Sequence, residues 1–245
     1  MMLILAVDTT TPNGSAALLD GPRLLAETAV ASAPTHSAVL LRSIDHILAV
    51  RGATARDIEA FAVAAGPGSF TGIRIGLSTV KALAFASNKP AAAVSSLRAL
   101  SLKAAADEGA WIAPMLDARK GEIYAALFEA SAEDAAAAVP EDAWIPGDFL
   151  SRIPDQGAVT FIGDGLDVCR EDVHSRLGNR ACFLTRTPFI AHEVGLLAAR
   201  IFARNAGAVL DELEPLYYRR SQAEEKHHGG TGNRRGMRHS KNEGR

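Results

Sequence analysis

The chain has 245 residues, of which 48% are hydrophobic and 22% charged, and its formal net charge is -2. This length supports one large domain or two small ones with real cores. The chain has 26 basic and 28 acidic residues, and residues 226–245 contain six of the basic residues but only one of the acidic residues. The body of the chain, residues 1–225, therefore has 20 basic and 27 acidic residues. An acidic body argues against a nucleic-acid-binding surface there, because phosphate neutralisation needs a clustered basic face.

Several classes of protein are excluded by motifs that the sequence lacks. Cys169 and Cys182 provide neither a disulfide framework nor a CxxC metal motif, and the seven histidines form no HxxxH or HExxH motif. The N-terminus lacks a signal-peptide pattern, and no apolar run reaches the roughly 18 to 20 residues of a membrane span. We therefore expect a cytoplasmic, soluble protein without a membrane segment or an intrinsic metal site.

The chain opens with a predicted β-meander. Apolar segments at 3–7 and 15–19 predict two strands, and 23–30 can supply a third antiparallel strand. Asn13-Gly14 separates the first two segments and is typical of a hairpin turn with positive φ angles. The meander is expected to begin the N-terminal half of the fold.

Three helices are predicted after the meander. The first spans 36–50, with Thr35 or Ser37 as its cap, because its apolar residues recur at helical spacing. A short buried strand at 58–64 leads through a glycine-rich loop into a second helix at 72–87. A third helix is capped by Ser95-Ser96 and ends at Gly109.

The opening pattern recurs in the second half of the chain. A strand at 111–116 ends in Asp117, a turn follows, and 122–128 return as a strand. The same order of strand, aspartate, glycine-containing turn and strand surrounds Asp8, which predicts a duplicated α/β unit.

We predict three regions, an N-terminal lobe over 1–109, a C-terminal lobe over 110–223 and a basic, disordered tail over 224–245. Within the C-terminal lobe, the Ala-, Pro- and acid-rich residues 131–157 predict a surface excursion. A strand is predicted at 159–162 and a helix at 188–204.

The glycine-rich segment 66–72 has two interpretations. A strand, a glycine loop and a helix N-terminus can bind an anion through backbone amides. The P-loop and dinucleotide fingerprints both fail, because no lysine follows Gly72 and Thr71 stands where a third glycine is required. The sequence favours the other interpretation, in which Gly72 and Gly76 let another helix approach closely.

Close helix packing makes the helices at 36–50 and 72–87 candidates for a partner surface. The expected contact residues on them are Leu40, Leu41, Ile44, Gly72, Ile73, Gly76, Leu77 and Val80. Without a partner, the same apolar face can join two copies of the chain as a homodimer.

Asp8 and Asp117 are the candidate chemical residues, because each ends a buried strand beside a hairpin. In an ATP-using enzyme such carboxylates hold magnesium-bound water or act as a base, and Thr9 and Thr10 would hold phosphate. Alternatively, each aspartate only accepts hydrogen bonds within its own turn. Both interpretations remain open, so a small ATP-dependent phosphotransferase or ATPase using Asp8 and Asp117 is an alternative function.

Three segments together resemble the bacterial TsaB family, also called YeaZ. They are the glycine segment 66–77 with Lys81-Ala82-Leu83-Ala84, the strand end Leu5-Ala6-Val7-Asp8-Thr9-Thr10, and Asp117-Ala118-Arg119-Lys120-Gly121-Glu122-Ile123-Tyr124. The resemblance covers nearly all of 1–223, including Pro215-Leu216-Tyr217-Tyr218-Arg219. It implies an α/β, two-lobed actin/Hsp70/sugar-kinase-like (ASKHA) fold with a duplicated β-meander plus helices.

The resemblance also implies a role in forming threonylcarbamoyladenosine beside the anticodon of tRNAs that read codons beginning with A. It implies a non-catalytic partner and activator of the paralogue TsaD, whose HxxxH metal motif is missing from this sequence. The expected assembly is a heterodimer with TsaD that the ATPase TsaE joins and that contacts tRNA mainly through the other subunits.

The resemblance implies no intrinsic cofactor, although ATP or ADP can belong to the partner complex. Under this interpretation the possible remnants of a nucleotide site are Asp8, Thr9, Thr10, Asp117 and Asp164.

Overall fold

The computed structural model describes residues 2–30, 36–104, 110–130, 136–204 and 213–219. The predicted tail at 224–245, the cap at Thr35 and the predicted helix end at Gly109 lie outside these residues.

The first sheet begins with the predicted meander. Its five strands are β1 Leu3–Asp8, β2 Gly14–Asp20, β3 Arg23–Val30, β4 Ala60–Ala64 and β5 Ala91–Val94. Their order is β3-β2-β1-β4-β5, with β1, β2 and β3 antiparallel and with β4 and β5 parallel to β1. The central strand β1 is apolar at almost every position because helices cover both of its faces.

The second sheet repeats this topology. Its strands are β6 Trp111–Arg119, β7 Glu122–Glu129, β8 Val139–Trp144, β9 Val159–Ile162 and β10 Ala181–Leu184. Counted from β8, their order is β8-β7-β6-β9-β10, again an antiparallel meander followed by two parallel strands. The predicted duplication is confirmed, and it places Asp8 and Asp117 near the ends of equivalent central strands.

Helices cover the sheets. They are α1 His36–Val50, α2 Phe70–Ser87, α3 Ser96–Ser101, α4 Pro146–Ser151, α5 Leu166–Leu177 and α6 Ala191–Ala203, with a 3-10 turn at Gly178–Arg180. On β1, Leu5 and Val7 pack in the same cluster as α1 and α2, whereas Ile4 and Ala6 pack with α3 and α6. This division follows from the alternation of side chains along a strand.

Helix α6 returns to the first lobe, although it follows the second sheet in sequence. Val194 and Ala198 are buried in the same cluster as Ile4 of β1, and Ala191 N–H donates to Ser15 Oγ at 3.0 Å. The predicted lobe over 110–223 is therefore wrong in its last part. An apolar helix pattern identifies the face that is buried but not the sheet that buries it.

The first hairpin differs from the prediction. Neither Asn13 nor Gly14 has a positive φ angle. Gly14 is the first residue of β2 and pairs with Val30, so the chain reverses through the loop 9–13 instead of a two-residue turn.

The predicted surface excursion at 131–157 is wrong for residues 139–153. Strand β8 extends the second sheet, and α4 buries Phe149, Leu150 and the following Ile153 in its core. Strand β8 was missed because it carries acidic side chains and, as an edge strand, alternates only weakly between apolar and polar residues. Helix α5 and strand β10 were not predicted, and α3 ends at Ser101, earlier than expected.

Within the residues described, no helix combines the length and the apolar character that crossing a membrane would require.

Candidate functional site

The loop after β1 packs directly against the N-terminus of α2. Ser69 N–H donates to the Thr10 carbonyl at 2.6 Å, and Thr9 Oγ1 donates to the Gly72 carbonyl at 2.7 Å. A Cβ on Gly72 would overlap the Thr9 carbonyl oxygen, and one on Gly76 would lie 2.6 Å from Thr9 Oγ1. These glycines serve close packing, but the neighbour is the chain's own loop and not another helix.

The amides of Ser69 and Gly72, at the start of α2, bind groups of the chain itself. Ser69 caps the helix, and its Oγ accepts from Gly72 N–H at 3.2 Å. The Ser69 amide is held by Thr10, and Ile73 N–H donates to the Ser69 carbonyl. Since an anion at a helix N-terminus needs such amides for itself, this geometry favours capping over anion binding.

Asp8 is completely buried at the end of β1. Its Oδ1 accepts from Thr10 N–H at 2.8 Å and from Thr10 Oγ1 at 2.7 Å, while Oδ2 is buried without a hydrogen-bond partner among the described residues. Burial raises the pKa of Asp8 from 3.8 to about 6, against the lowering effect of the two Thr10 hydrogen bonds. The carboxylate therefore closes its own turn, which favours the structural interpretation of Asp8.

Asp117 and Asp164 meet at the equivalent end of β6. Asp117 N–H donates to Asp164 Oδ1 at 3.0 Å, and the Asp117 carboxylate accepts from Arg119 N–H at 2.7 Å and pairs with the Arg119 guanidinium at 3.2 Å. Burial is the main cause that raises the pKa of Asp164. No hydrogen bond joins this pair to Asp8 in the described ranges, so the five predicted remnants form two separate groups.

No group of three or more His, Cys, Asp or Glu side chains that could hold a metal ion occurs among residues 2–30, 36–104, 110–130, 136–204 and 213–219.

Most of the predicted partner contacts lie in the chain's own core. The buried positions are Leu40, Ile44, Ile73, Gly76, Leu77 and Val80. Gly72 is half-buried against Thr9, and Leu41 is 45% exposed. The apolar stripes of α1 and α2 face the first sheet, where Leu5 and Val7 cover them. This corrects the prediction for the six buried residues, whereas Gly72 and Leu41 remain at least partly accessible.

Other residues form the outward face of these two helices. They are Leu41, Arg42, Asp45, His46, Ala49 and Val50 on α1, and Thr71, Arg74, Ser78, Ala82, Phe85 and Ala86 on α2. Among them Phe85 is 79% exposed, and Val50 and Leu41 are also large exposed hydrophobic residues. Because α1 and α2 contact each other, the two faces adjoin, and we call them together the α1–α2 surface.

A cavity of about 630 Å³ lies where the two lobes meet. It is lined by Ser95, Arg98, Phe128, Glu141 and Tyr218, among others. Glu141 Oε2 accepts from Ser95 Oγ at 2.7 Å and from Tyr218 OH at 3.3 Å, and burial raises the pKa of Glu141. Sequence reasoning missed this cluster because its members come from separate elements and no spacing links them.

The contact between Thr9 and Gly72 can be tested by adding one methyl group. Gly72→Ala should lower the free energy of unfolding by about 1 to 3 kcal/mol, because the new Cβ meets a backbone carbonyl that cannot rotate away. Gly147→Ala is the matched control, since Gly147 also lies in a helix and a Cβ there meets nothing within 4 Å. Urea denaturation of both variants gives the comparison, and equal stabilities would contradict the close approach.

The raised pKa of Asp8 predicts a pH-dependent stability. Between the ordinary value of 3.8 and about 6 the folded state holds the proton more tightly than the unfolded state. The contribution of Asp8 is therefore complete below the unfolded pKa and is lost as the pH rises through the folded pKa. The change is about 3 kcal/mol at most.

Asp8→Asn keeps the Oδ1 acceptor and removes the titration. Its stability relative to the unmodified chain should therefore rise from about pH 4 to about pH 7, as measured by urea denaturation across that interval. Parallel curves for Asp8→Asn and the unmodified chain would refute the raised pKa.

Known proteins resemble the chain over most of its length. The family model described as TsaD: tRNA N6-adenosine threonylcarbamoyltransferase matches residues 29–223. The tRNA threonylcarbamoyladenosine biosynthesis protein TsaB of Bacillus subtilis is 29% identical over 226 residues, which cover 92% of this chain and 97% of that protein. The protein of the same name from Escherichia coli is 28% identical, with 91% and 96% covered.

Solved structures support the same assignment. YeaZ from Pseudomonas aeruginosa superposes with a TM-score of 0.73 at 30% identity, over 89% of this chain and 100% of that one. Component A of the (R)-2-hydroxyglutaryl-CoA dehydratase of Acidaminococcus fermentans superposes with a TM-score of 0.53 at 11% identity, over 83% of this chain and 100% of that one, which is a likeness of fold alone.

The repeated sheets and these superpositions establish the expected two-lobed, actin/Hsp70/sugar-kinase-like (ASKHA) fold. The chain belongs to the family that the TsaD model describes and, within it, to the TsaB (YeaZ) proteins.

Proposed function

We propose that this chain acts in tRNA threonylcarbamoyladenosine biosynthesis as the non-catalytic partner and activator of TsaD. In that reaction the threonylcarbamoyl group is transferred to the adenosine beside the anticodon of tRNAs that read codons beginning with A. The names of the Bacillus subtilis and Escherichia coli relatives support the pathway, and the TsaD family model supports descent from the same ancestor as the catalytic subunit.

The geometry at the end of β1, where Asp8 is buried, supports the proposal that this chain is non-catalytic. Three donors that would hold a phosphate there already have partners, since Thr10 N–H and Oγ1 donate to Asp8 and Thr9 Oγ1 donates to the Gly72 carbonyl. A catalytic carboxylate must come within hydrogen-bond reach of its substrate, whereas Asp8 has no exposed surface. The alternative function, a phosphotransferase or ATPase using Asp8 and Asp117, therefore has no support from the first lobe.

The α1–α2 surface is the proposed docking site for TsaD. Leu41, Val50 and Phe85 are large hydrophobic residues that solvent reaches, and they lie on two helices whose inner faces are already used by the sheet. Exposed apolar residues on adjoining elements are typical of protein interaction sites. In the absence of TsaD, the same surface is proposed to join two copies of the chain.

The charge of the chain agrees with an indirect role toward RNA. Residues before 226 carry 20 basic and 27 acidic side chains, so the folded lobes would repel a phosphate backbone. We therefore assign tRNA contact mainly to TsaD, place the assembly with tRNA in the cytoplasm, and assign any ATP or ADP to the complex with TsaD and the ATPase TsaE.

Leu41→Glu tests the proposed docking site. A carboxylate there must be desolvated when TsaD binds, so the affinity should fall by about tenfold or more, which is 1.4 kcal/mol or more. Ile145→Glu is the matched control, because Ile145 is an exposed aliphatic residue at 61% on the second lobe. Affinity would be measured by isothermal titration calorimetry.

The same variants would be assayed for modification of tRNA by TsaD and TsaE supplied with L-threonylcarbamoyl-adenylate. Leu41→Glu should reduce modification in proportion to lost binding, and Ile145→Glu should not. Undiminished binding of TsaD by Leu41→Glu would contradict the proposed docking site. Full modification of tRNA by TsaD and TsaE without this chain would contradict the proposed activator role.

A further inference from the structure

The segment 213–219 begins on the first lobe. Leu213 is buried in the core beneath α1 and α2, and Leu216 N–H donates to the Ala65 carbonyl at 2.8 Å. The Tyr217 ring stacks on Phe70 with centroids 4.6 Å apart. These contacts attach the segment to the end of β4 and to the first turn of α2.

Arg74 completes this attachment. Its guanidinium lies 3.8 Å from the centroid of the Phe70 ring, and its Nε donates to Tyr217 OH at 3.1 Å. One face of Phe70 and the hydroxyl of Tyr217 are thus both held by a residue of α2.

The next two residues hold the second lobe. Tyr218 OH donates to Glu141 Oε2 of β8 at 3.3 Å. Arg219 Nη1 pairs with Glu122 Oε2 of β7 at 3.2 Å and donates to the Ala118 carbonyl of β6 at 3.0 Å. The segment therefore binds both lobes within four residues. Residues 216–217 contact the first lobe, and residues 218–219 contact the second.

A second junction between the lobes lies at α3, which packs against β6 and β7 through apolar side chains such as Leu100 and Leu116. An apolar contact of this kind tolerates small rotations better than a set of directed hydrogen bonds does. Two directed contacts accompany this packing, since Ser95 Oγ at the start of α3 donates to Glu141 Oε2 at 2.7 Å and the Arg98 guanidinium lies 4.5 Å from the centroid of the Phe128 ring. The lobes are thus connected at α3 mainly by packing, and away from α3 by the directed polar contacts of residues 216–219.

We propose that residues 216–219 are a clasp that fixes the angle between the two lobes, and that its release lets the second lobe rotate about the α3 junction. The Arg219–Glu122 ion pair on the second lobe is weak, because both side chains are partly exposed and such pairs contribute little. The clasp can therefore open while both cores stay folded.

The clasp would also couple the second lobe to the α1–α2 surface, because Arg74 belongs to that surface and holds Tyr217. A partner that binds Arg74 would weaken or strengthen the Arg74 hydrogen bond to Tyr217 and thereby alter the attachment of the clasp to the first lobe. The inference itself does not depend on which partner binds, since it concerns contacts within one chain.

The interlobe distance can be measured by double electron-electron resonance on the full chain. Cys182 is exposed on β10 and takes one spin label, and Arg56→Cys places the second on an exposed loop of the first lobe. Cys169 is buried, and burial raises the pKa of its thiol to about 11, so it should stay unlabelled.

In this background, Tyr218→Phe with Arg219→Gln should at least double the width of the distance distribution. Arg186→Gln, at an exposed site on the second lobe, is the control and should leave the width unchanged. An unchanged width in the folded clasp variant would overturn the proposal.

Two further variants remain informative if that double variant fails to fold. Glu122→Arg alone should broaden the distribution, because two cations would then face each other, and adding Arg219→Glu should narrow it again. Broadening without any recovery in the swapped pair would refute the specific contact between Arg219 and Glu122.

Discussion

The backbone contact between Thr9 and Gly72 is the constraint on which the first lobe depends. It brings the N-terminus of α2 onto the loop after β1, and Gly76 extends the same close approach one turn further. Ser69 adds a hydrogen bond on each side of this contact, because its Oγ accepts from Gly72 N–H of α2 and its N–H donates to the Thr10 carbonyl of the loop. With α2 held there, its apolar stripe lies on the sheet and its opposite face is left for solvent or a partner.

The next residue of the same loop, Thr10, determines which partners Asp8 has. Duplication places Asp8 and Asp117 at equivalent ends of β1 and β6, yet their surroundings differ. Asp8 is enclosed by Thr10 and has a raised pKa, whereas Asp117 stays partly exposed and pairs with Arg119. In the first lobe, Thr9 Oγ1 and the amide and hydroxyl of Thr10, which could hold a nucleotide phosphate, bind Gly72 and Asp8 instead. This favours a role exercised through a surface over a role in chemistry.

Local patterns predicted much of this fold, and the errors share one cause. The first meander, the first two strands of the second and their duplication were predictable, because strands alternate and Asp8 and Asp117 follow similar segments, whereas the third strand β8 was missed. The glycines at 72 and 76 indicated close packing, but a sequence does not state which backbone arrives, and here it is Thr9. Leu40 and Val80 were assigned to a partner because an apolar stripe looks the same whether a sheet or another protein covers it. The return of α6 and the clasp depend on contacts between distant residues, which no spacing records.

The hydrogen bonds of Thr9 and Thr10 close the Asp8 end of the first lobe to nucleotide, which can be measured by titration calorimetry of Mg·ATP into this chain alone. We expect no binding heat that depends on Asp8, so that the unmodified chain and Asp8→Asn give the same titration. Saturable binding by the unmodified chain that disappears in Asp8→Asn would contradict it, because Asp8 and the threonine donors would then have to leave their present partners.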